Sequence, residues 1–222
     1  MDTQPANNCL GVHPEEGEMH LFDQKILGVM ILLLLSGMVV VKKLATGSVL
    51  DRPKGNLLVQ LVNGFNLFFL LIVNPLAAIL LITNRLEMID PARIIIDYLW
   101  LIQVWEMAGL VIYVMGYLLM AWALIRLSHN YQIGGSTPRP KDEMVMNGPY
   151  RLVRHPMYTA ALSISFGLAS LTQSWALLGV FGLYLMLILL LIPLEEDRLR
   201  QSYGKQYIPY QQKTRKLIPF AY

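Results

Sequence analysis

Long apolar runs separated by short polar stretches set the character of this chain. A helix that crosses a bilayer needs about 20 mostly apolar residues, and five runs approach that length: 26–41, 57–82, 100–125, 157–171 and 175–193. The first is bounded by Lys25 and the Lys42-Lys43 pair. The second is interrupted by Asn74-Pro75, where the carbonyl freed by the proline needs a neighbour to satisfy it. The third has an interfacial lead-in from Ile94. Only Thr172, Gln173 and Ser174 separate the fourth from the fifth, which predicts a tight helical hairpin. The pattern predicts an all-α integral membrane protein of five transmembrane helices.

Loop charge orients the bundle. The loop after the first run carries Lys42, Lys43, Arg52 and Lys54. The loop after the third carries Arg126, Arg139, Lys141, Arg151 and Arg154. The C-terminal tail carries Arg198, Arg200, Lys205, Lys213, Arg215 and Lys216, which brings the total to 15 of the 18 lysines and arginines. The loop after the second run has only Arg85 and Arg93, offset by Glu87 and Asp90, and the hairpin turn has none. Positive charge collects on the cytoplasmic side, so the N-terminus is expected outside and the C-terminus in the cytoplasm. An odd number of spans and the alternation of loop charge agree on this.

Composition narrows the class further. Of 222 residues, 55% are hydrophobic and 15% charged, and the mean hydropathy is +0.47. Soluble domains carry about 25% charged residues, so a soluble protein is excluded, as are collagen-like, disordered and disulfide-rich classes. The net charge of +3 reads as the cytoplasmic edge of a membrane protein facing anionic lipid, with no nucleic-acid partner. The lone cysteine, Cys9, lies in a polar N-terminal stretch that holds Asp2, Glu15, Glu16, Glu18 and Asp23 and no positive n-region before Lys25. That stretch does not read as a signal peptide. The chain divides into a polar tail (1–25), two accessory helices (26–93) and a core (94–222).

The polar, motif-rich sequence lies in the loop 126–158 and in the tail from Glu195. In the loop, residues 134–138 (Gly-Gly-Ser-Thr-Pro) read as a turn, Met144-Val145-Met146 as an extended stretch and Asn147-Gly148-Pro149 as another turn. His155 precedes a proline, and proline favours the first position of a helix. His155 is therefore expected at the cap of the fourth helix, whose first N–H groups, with Arg151 and Arg154, offer an anion site. Plain lipid-headgroup contact is the alternative for these arginines, as aromatic-belt placement is for Tyr150 and Tyr158. His129, at the exit of the third run, is a weaker candidate. After the fifth run come Glu195, Glu196 and Asp197. Three acids at a helix C-terminal end oppose its dipole, which points to a cationic ligand group or to pairing with nearby arginines. Adjacent helical residues point about 100° apart, so one of Glu195 and Glu196 is expected to enter a site while the other orients or pairs. Leu199, Tyr203, Tyr207 and Tyr210 share a helical face, and 195–212 reads as an amphipathic helix on the membrane lip, bent at Gly204 and Pro209. Asp97 and Glu106 lie near the outer part of the third helix, where a buried acid is functional by default. No residue spacing matches a metal site.

Gly148-Pro149-Tyr150, Arg154-His155-Pro156-Met157-Tyr158, Glu195-Glu196 about 40 residues later, and Tyr203-Gly204-Lys205-Gln206-Tyr207 with Tyr210 together resemble the isoprenylcysteine carboxyl methyltransferase family, itself related to the membrane phospholipid N-methyltransferases. The resemblance covers roughly residues 100–220. It implies S-adenosylmethionine as cofactor, in a cytoplasmic pocket capped by the C-terminal segment and not in a Rossmann fold. By position it implies cofactor binding by Asp142, Glu143, Met144, Val145, Tyr150, His155, Pro156, Met157, Tyr158 and Glu195. The candidate catalytic residues are His155 or Glu196, to accept the proton of an amine acceptor, and Arg154, as a cation to meet the substrate. Two positions depart from the family pattern. Leu191 stands where those enzymes carry an arginine taken to meet the substrate, which argues against a prenylcysteine carboxylate unless Arg126 or Arg154 takes that role. Thr159-Ala160 replaces a small glycine.

The expected activity is transfer of the cofactor's methyl group to a lipophilic acceptor that enters from the bilayer, in a prokaryotic inner membrane or the endoplasmic reticulum. The rivals are an NADPH-dependent membrane reductase of the sterol-reductase type and a non-enzymatic membrane scaffold. The acidic run Glu195–Asp197 favours the cationic cofactor over the nicotinamide dinucleotide.

Overall fold

The computed structural model describes residues 21–50, 56–90, 94, 98–132, 138, 139 and 141–218. Cys9, the acids Asp2 to Glu18, Arg52, Lys54, Arg93, Asp97 and the turn at 134–137 lie outside the described residues.

The described chain is helical, with no strand and one isolated parallel bridge between Val153 and Arg215. Helix α1 spans Gln24–Thr46. Asp23 caps it by accepting the Lys25 and Ile26 N–H groups at 2.7 and 3.2 Å, and Gly47 closes it in the left-handed region at φ 75°. Helix α2 (Leu57–Phe68) runs through a π turn at Phe69–Val73 into α3 (Asn74–Ile82), so the apolar run is continuous across Pro75. The widened turn directs the Asn74 N–H to the Phe69 carbonyl. The Asn74 side chain donates to that same carbonyl at 3.1 Å and accepts the Tyr113 hydroxyl at 2.8 Å. A short α4 (Leu86–Ile89) leads toward the long α5 (Leu99–Leu127). Helix α6 (Pro156–Leu171) turns at Thr172–Ser174 into α7 (Trp175–Tyr203), and Ser174 caps α7 by accepting the Leu177 N–H at 3.0 Å.

Among the described residues, four helical stretches are long and apolar enough to cross a membrane; α6, at 16 residues, is shorter. At 1.5 Å per residue it rises about 24 Å. It is also the helix most enclosed by protein, packed between α5 and α7.

The fifth apolar run does not stop at Pro193. Helix α7 continues through Glu195 and Glu196 to Tyr203, and Gly204 then breaks it with φ 53°. A separate amphipathic helix over 195–212 is therefore not formed. Leu191, Ile192 and Glu196 are buried along one face of α7, and that packing outweighs the backbone hydrogen bond that Pro193 removes. After a 3-10 turn, α8 (Tyr207–Lys213) follows with Pro209 in its first turn, where the missing N–H has no intrahelical partner to lose.

Glycines set the spacing of the inner helices. A Cβ at Gly167 would lie 2.7 Å from the backbone nitrogen and Cβ of Tyr113, and one at Gly109 would lie 2.7 Å from Ser170 Cβ. Gly28 permits the equivalent approach of α1 to the Ala78 carbonyl of α3. The single helix formed by α2 and α3 packs its α3 end on α1 and its α2 end on α7. It therefore diverges from α1 toward the end of the bundle that carries the long loop.

At that end the tail is tied down. Backbone N–H groups of Arg154 and His155 donate to the carbonyls of Arg215 and Lys216 at 2.7 and 3.0 Å. The Arg154 side chain donates through Nε to Glu196 at 2.7 Å, and through an NH group to the carbonyls of Gln211, at 3.0 Å, and Thr214. Thr159 donates to the Leu217 carbonyl at 2.7 Å, and the Tyr210 hydroxyl to the Tyr150 carbonyl at 2.7 Å. The threonine that replaces the family's small glycine thus anchors the tail.

Two stability effects are expected. Gly167→Leu forces α5 and α6 apart and should cost about 3 kcal/mol, read as a lower melting temperature in detergent. Gly37→Leu, with nothing within 4 Å of the new Cβ, should leave melting unchanged. Arg154→Ala leaves Glu196 buried without its guanidinium and should cost about 3–5 kcal/mol. Amide exchange should then accelerate across 210–218, and unaltered protection there would contradict the tie.

Candidate active site

The start of α6 is built as its sequence dictates: His155 is the cap residue and Pro156 the first helical position. It is a poor anion site, contrary to expectation. Pro156 has no N–H, and the Tyr158 and Thr159 N–H groups both donate to the His155 carbonyl at 3.1 Å. The backbone just upstream spends its donors on the tail.

A cavity of about 1110 Å³, counting its open side, lies against this helix start. Asp142, Glu143, Met144 and Val145 line it from the loop, and Tyr150 from the 3-10 turn Gly148–Arg151. Arg154, His155, Pro156, Met157 and Tyr158 line it from the α6 start, and Glu195 from α7. Every residue singled out for cofactor binding from the sequence is therefore on one wall or another of this cavity. Glu196 is not among its lining residues.

The two glutamates divide as their angular separation requires. Tyr158 donates its hydroxyl to Glu195, whose carboxylate borders the cavity. Glu196 is buried and receives Arg154 Nε at 2.7 Å and Gln211 Nε2 at 3.1 Å. His155 Nε2 lies 3.5 Å from the same Glu196 carboxylate, without a direct hydrogen bond. Its ring stacks on Tyr158, with centroids 5.5 Å apart. Arg154 and Glu196 hold each other and the tail.

Leu199, Tyr203, Tyr207 and Tyr210 all line the cavity. Their shared face turns into the protein and not onto the membrane lip, since Gly204 folds α8 back against Tyr150 and Arg154. With Tyr131, Tyr150 and Tyr158, six tyrosines surround the space. Burial, and next the Glu195 charge, push the Tyr150 hydroxyl pKa upward, so it stays a neutral phenol. His155 Nε2 and Tyr207 Oη are buried without hydrogen-bond partners. Asp142 is held by Gln132 and by Arg139, whose N–H and Nε donate to it at 2.8 and 2.9 Å. Its carboxylate shapes the loop, and it is the adjoining backbone that can face a ligand.

Other candidates fall elsewhere. His129 is exposed and gives its carbonyl to Arg139. Glu106 is buried and accepts Gln173 Nε2 and the Leu21 N–H, each at 2.8 Å, so it staples the hairpin turn to α5. Arg126 lines no part of the cavity; its stem packs beside Gly148. Leu191 is fully buried with Val59, Val62, Ile188 and Leu217. No group of three or more His, Cys, Asp or Glu that could hold a metal occurs among the described residues.

A second cavity of about 1020 Å³ adjoins the first in the gap where α2 diverges from α1. Asn63, Asn66, Met120, Tyr131, Met157 and Ala161 line both. The two asparagines went unnoticed in the sequence, although polar residues inside an apolar span were a legible signal.

Comparison with known proteins places this geometry. Residues 104–206 match the family model described as phospholipid methyltransferase. Over 81 residues the chain is 32% identical to the cobalt-zinc-cadmium resistance protein CzcN of Cupriavidus metallidurans, which is 36% of this chain. The alignment spans 38% of the length of that curated relative. The fold is similar to that of the eukaryotic intramembrane Ras methyltransferase ICMT (isoprenylcysteine carboxyl methyltransferase). That match covers 88% of this chain and 86% of the other, with 16% identity and a TM-score of 0.50. The resemblance read from the motifs agrees with these findings: residues 104–206 match the phospholipid methyltransferase family model, and the helical fold is similar to that of ICMT.

Proposed function

We propose that this protein is an integral-membrane methyltransferase that uses S-adenosylmethionine and acts on a lipophilic acceptor. The observation that carries the reading is the convergence of the motif residues from the loop, the α6 start, α7 and α8 on one cavity. The bundle is read as five spans, with the N-terminus outside and the loop and tail facing the cytoplasm.

The residues present fit the cofactor's chemistry. Its sulfonium and ammonium are cationic, and the cavity offers the Glu195 carboxylate, fixed by Tyr158, together with the faces of six tyrosines. Cations are attracted to both. The buried Tyr207 Oη, without a hydrogen-bond partner, and the His155 ring, whose Nε2 lies 3.5 Å from Glu196, supply polar contacts for its carboxylate or hydroxyl groups. The stretch Asp142–Val145 and Tyr150 wall the adenosine side. When bound, S-adenosylmethionine supplies an already activated methyl group. The chain's own residues then have to align the reactants and exclude water, and such positioning supplies several kcal/mol of a barrier. Arg154 and Glu196 are positioning residues in this account, because they hold His155 and the tail in place. A nicotinamide dinucleotide phosphate suits the site poorly, since Asp142, Glu143 and Glu195 all border it.

Calorimetric titration of detergent-purified protein with S-adenosylhomocysteine should show saturable binding. Glu195→Gln should weaken it on the order of tenfold, the size of one charge-assisted contact. Binding of NADPH in its place would overturn the reading.

A further inference from the structure

The family match begins at residue 104 and says nothing of α1 and α2, yet these helices form much of the second cavity. Its wall is mainly apolar, with Met38 and Val39 from α1, Leu67 from α2, and Phe69, Leu70 and Leu71 from the π turn. Such π turns occur often at functional sites, and Asn74 and Tyr113 brace this one from behind. Leu67 and Leu71 are exposed on the outside of the bundle, so the cavity opens toward lipid. The apolar half suits a hydrocarbon chain.

Its polar features are few and localised. Lys42 is the sole charged side chain among the described residues that line it. The Lys42 ammonium donates to the Val49 carbonyl at 2.7 Å and lies 5.4 Å from the Tyr131 ring centroid. Tyr131 borders both cavities, so this cation stands beside the passage between them. Asn63 and Asn66, three positions apart on α2, face the same passage. Asn63 donates to the Val59 carbonyl at 2.7 Å; no described side chain hydrogen-bonds the Asn66 carboxamide. The other cations once available for an acceptor are placed otherwise: Arg126 is outside both cavities, Arg154 is engaged by Glu196, and residue 191 is a buried leucine.

We infer that Lys42 and Asn66 are the specificity-determining residues of the acceptor site, and that they select a single-chain amphiphile with an anionic oxygen head. The chain lies between α1 and α2, Lys42 meets the negative charge, and the Asn66 amide hydrogen-bonds a head-group oxygen. The inference rests on the methyltransferase reading. The anion could be a carboxylate or a phosphate, and the two are separable by experiment.

The test is binding of tritiated oleate to the detergent-purified full chain, with unlabelled oleoyl-lysophosphatidate and oleamide as competitors. The wild type should bind one or both acids at least tenfold more tightly than the uncharged amide. The stronger of the two acids identifies carboxylate or phosphate as the head. Lys42→Gln should abolish the preference for acid over amide, Lys42→Arg should keep it, and Asn66→Leu should weaken the acids several-fold. S-adenosylhomocysteine binding should be unchanged in the two Lys42 variants, since Lys42 lines the second cavity alone, and it also reports that they fold; the melting temperature reports folding of Asn66→Leu. Equal affinity for acid and amide, or an unchanged preference in Lys42→Gln, would overturn the inference. Failure of the wild type to bind S-adenosylhomocysteine would instead overturn the cofactor reading.

Discussion

One buried guanidinium holds the candidate site together. Arg154 sits where the chain enters α6, and its side chain and backbone reach three other parts of the protein at once. Nε meets Glu196 on α7, an NH group meets two carbonyls at the end of α8, and the backbone N–H meets Arg215. A buried ion pair is weak evidence of stability by itself, because desolvation offsets much of its attraction. Its geometry matters more here: a planar, forked donor fixes the relative position of segments that are distant in sequence.

The rest of the cavity follows from that constraint. With the tail held against Val153–His155, Tyr207 and Tyr210 are brought opposite the α6 start, and the aromatic face of α8 has nowhere to turn but inward. Because Glu196 serves Arg154, the neighbouring Glu195 is the acid that borders the cavity. The division of labour between two adjacent glutamates is thus a consequence of helical geometry and one arginine. The glycine contacts of α5 and α6 supply the rigid floor on which this is built.

Much of this was legible in the sequence. Apolar runs located the long helices, three polar residues located the hairpin, and the Arg-His-Pro-x-Tyr and Glu-Glu elements located the cavity wall. The errors share a physical cause. Pro193 was read as a helix end because local propensity was weighed without the tertiary packing of Leu191 and Ile192. Tyr203, Tyr207 and Tyr210 were read correctly as one face but were assigned to the membrane, since a sequence does not say which apolar surroundings a face meets. The anion site expected at the start of α6 was read without two sets of acceptors: the His155 carbonyl takes the Tyr158 and Thr159 N–H groups, and the carbonyls of Arg215 and Lys216, some 60 residues away, take those of Arg154 and His155. Such long-range backbone pairing leaves no periodic mark. Thr159 is a single residue whose role depends on the Leu217 carbonyl across a gap, and no spacing rule reaches it.

The central claim is that a cytoplasm-facing cofactor cavity and a lipid-facing apolar cavity meet at one passage where a methyl group changes hands. The most direct measurement reconstitutes the full chain in vesicles of native-membrane lipid with S-adenosylmethionine tritiated on its methyl group, and then partitions the products between organic and aqueous phases. The account predicts that tritium appears in the organic phase in proportion to enzyme. A preparation that binds the cofactor but leaves all label in the aqueous phase would contradict it.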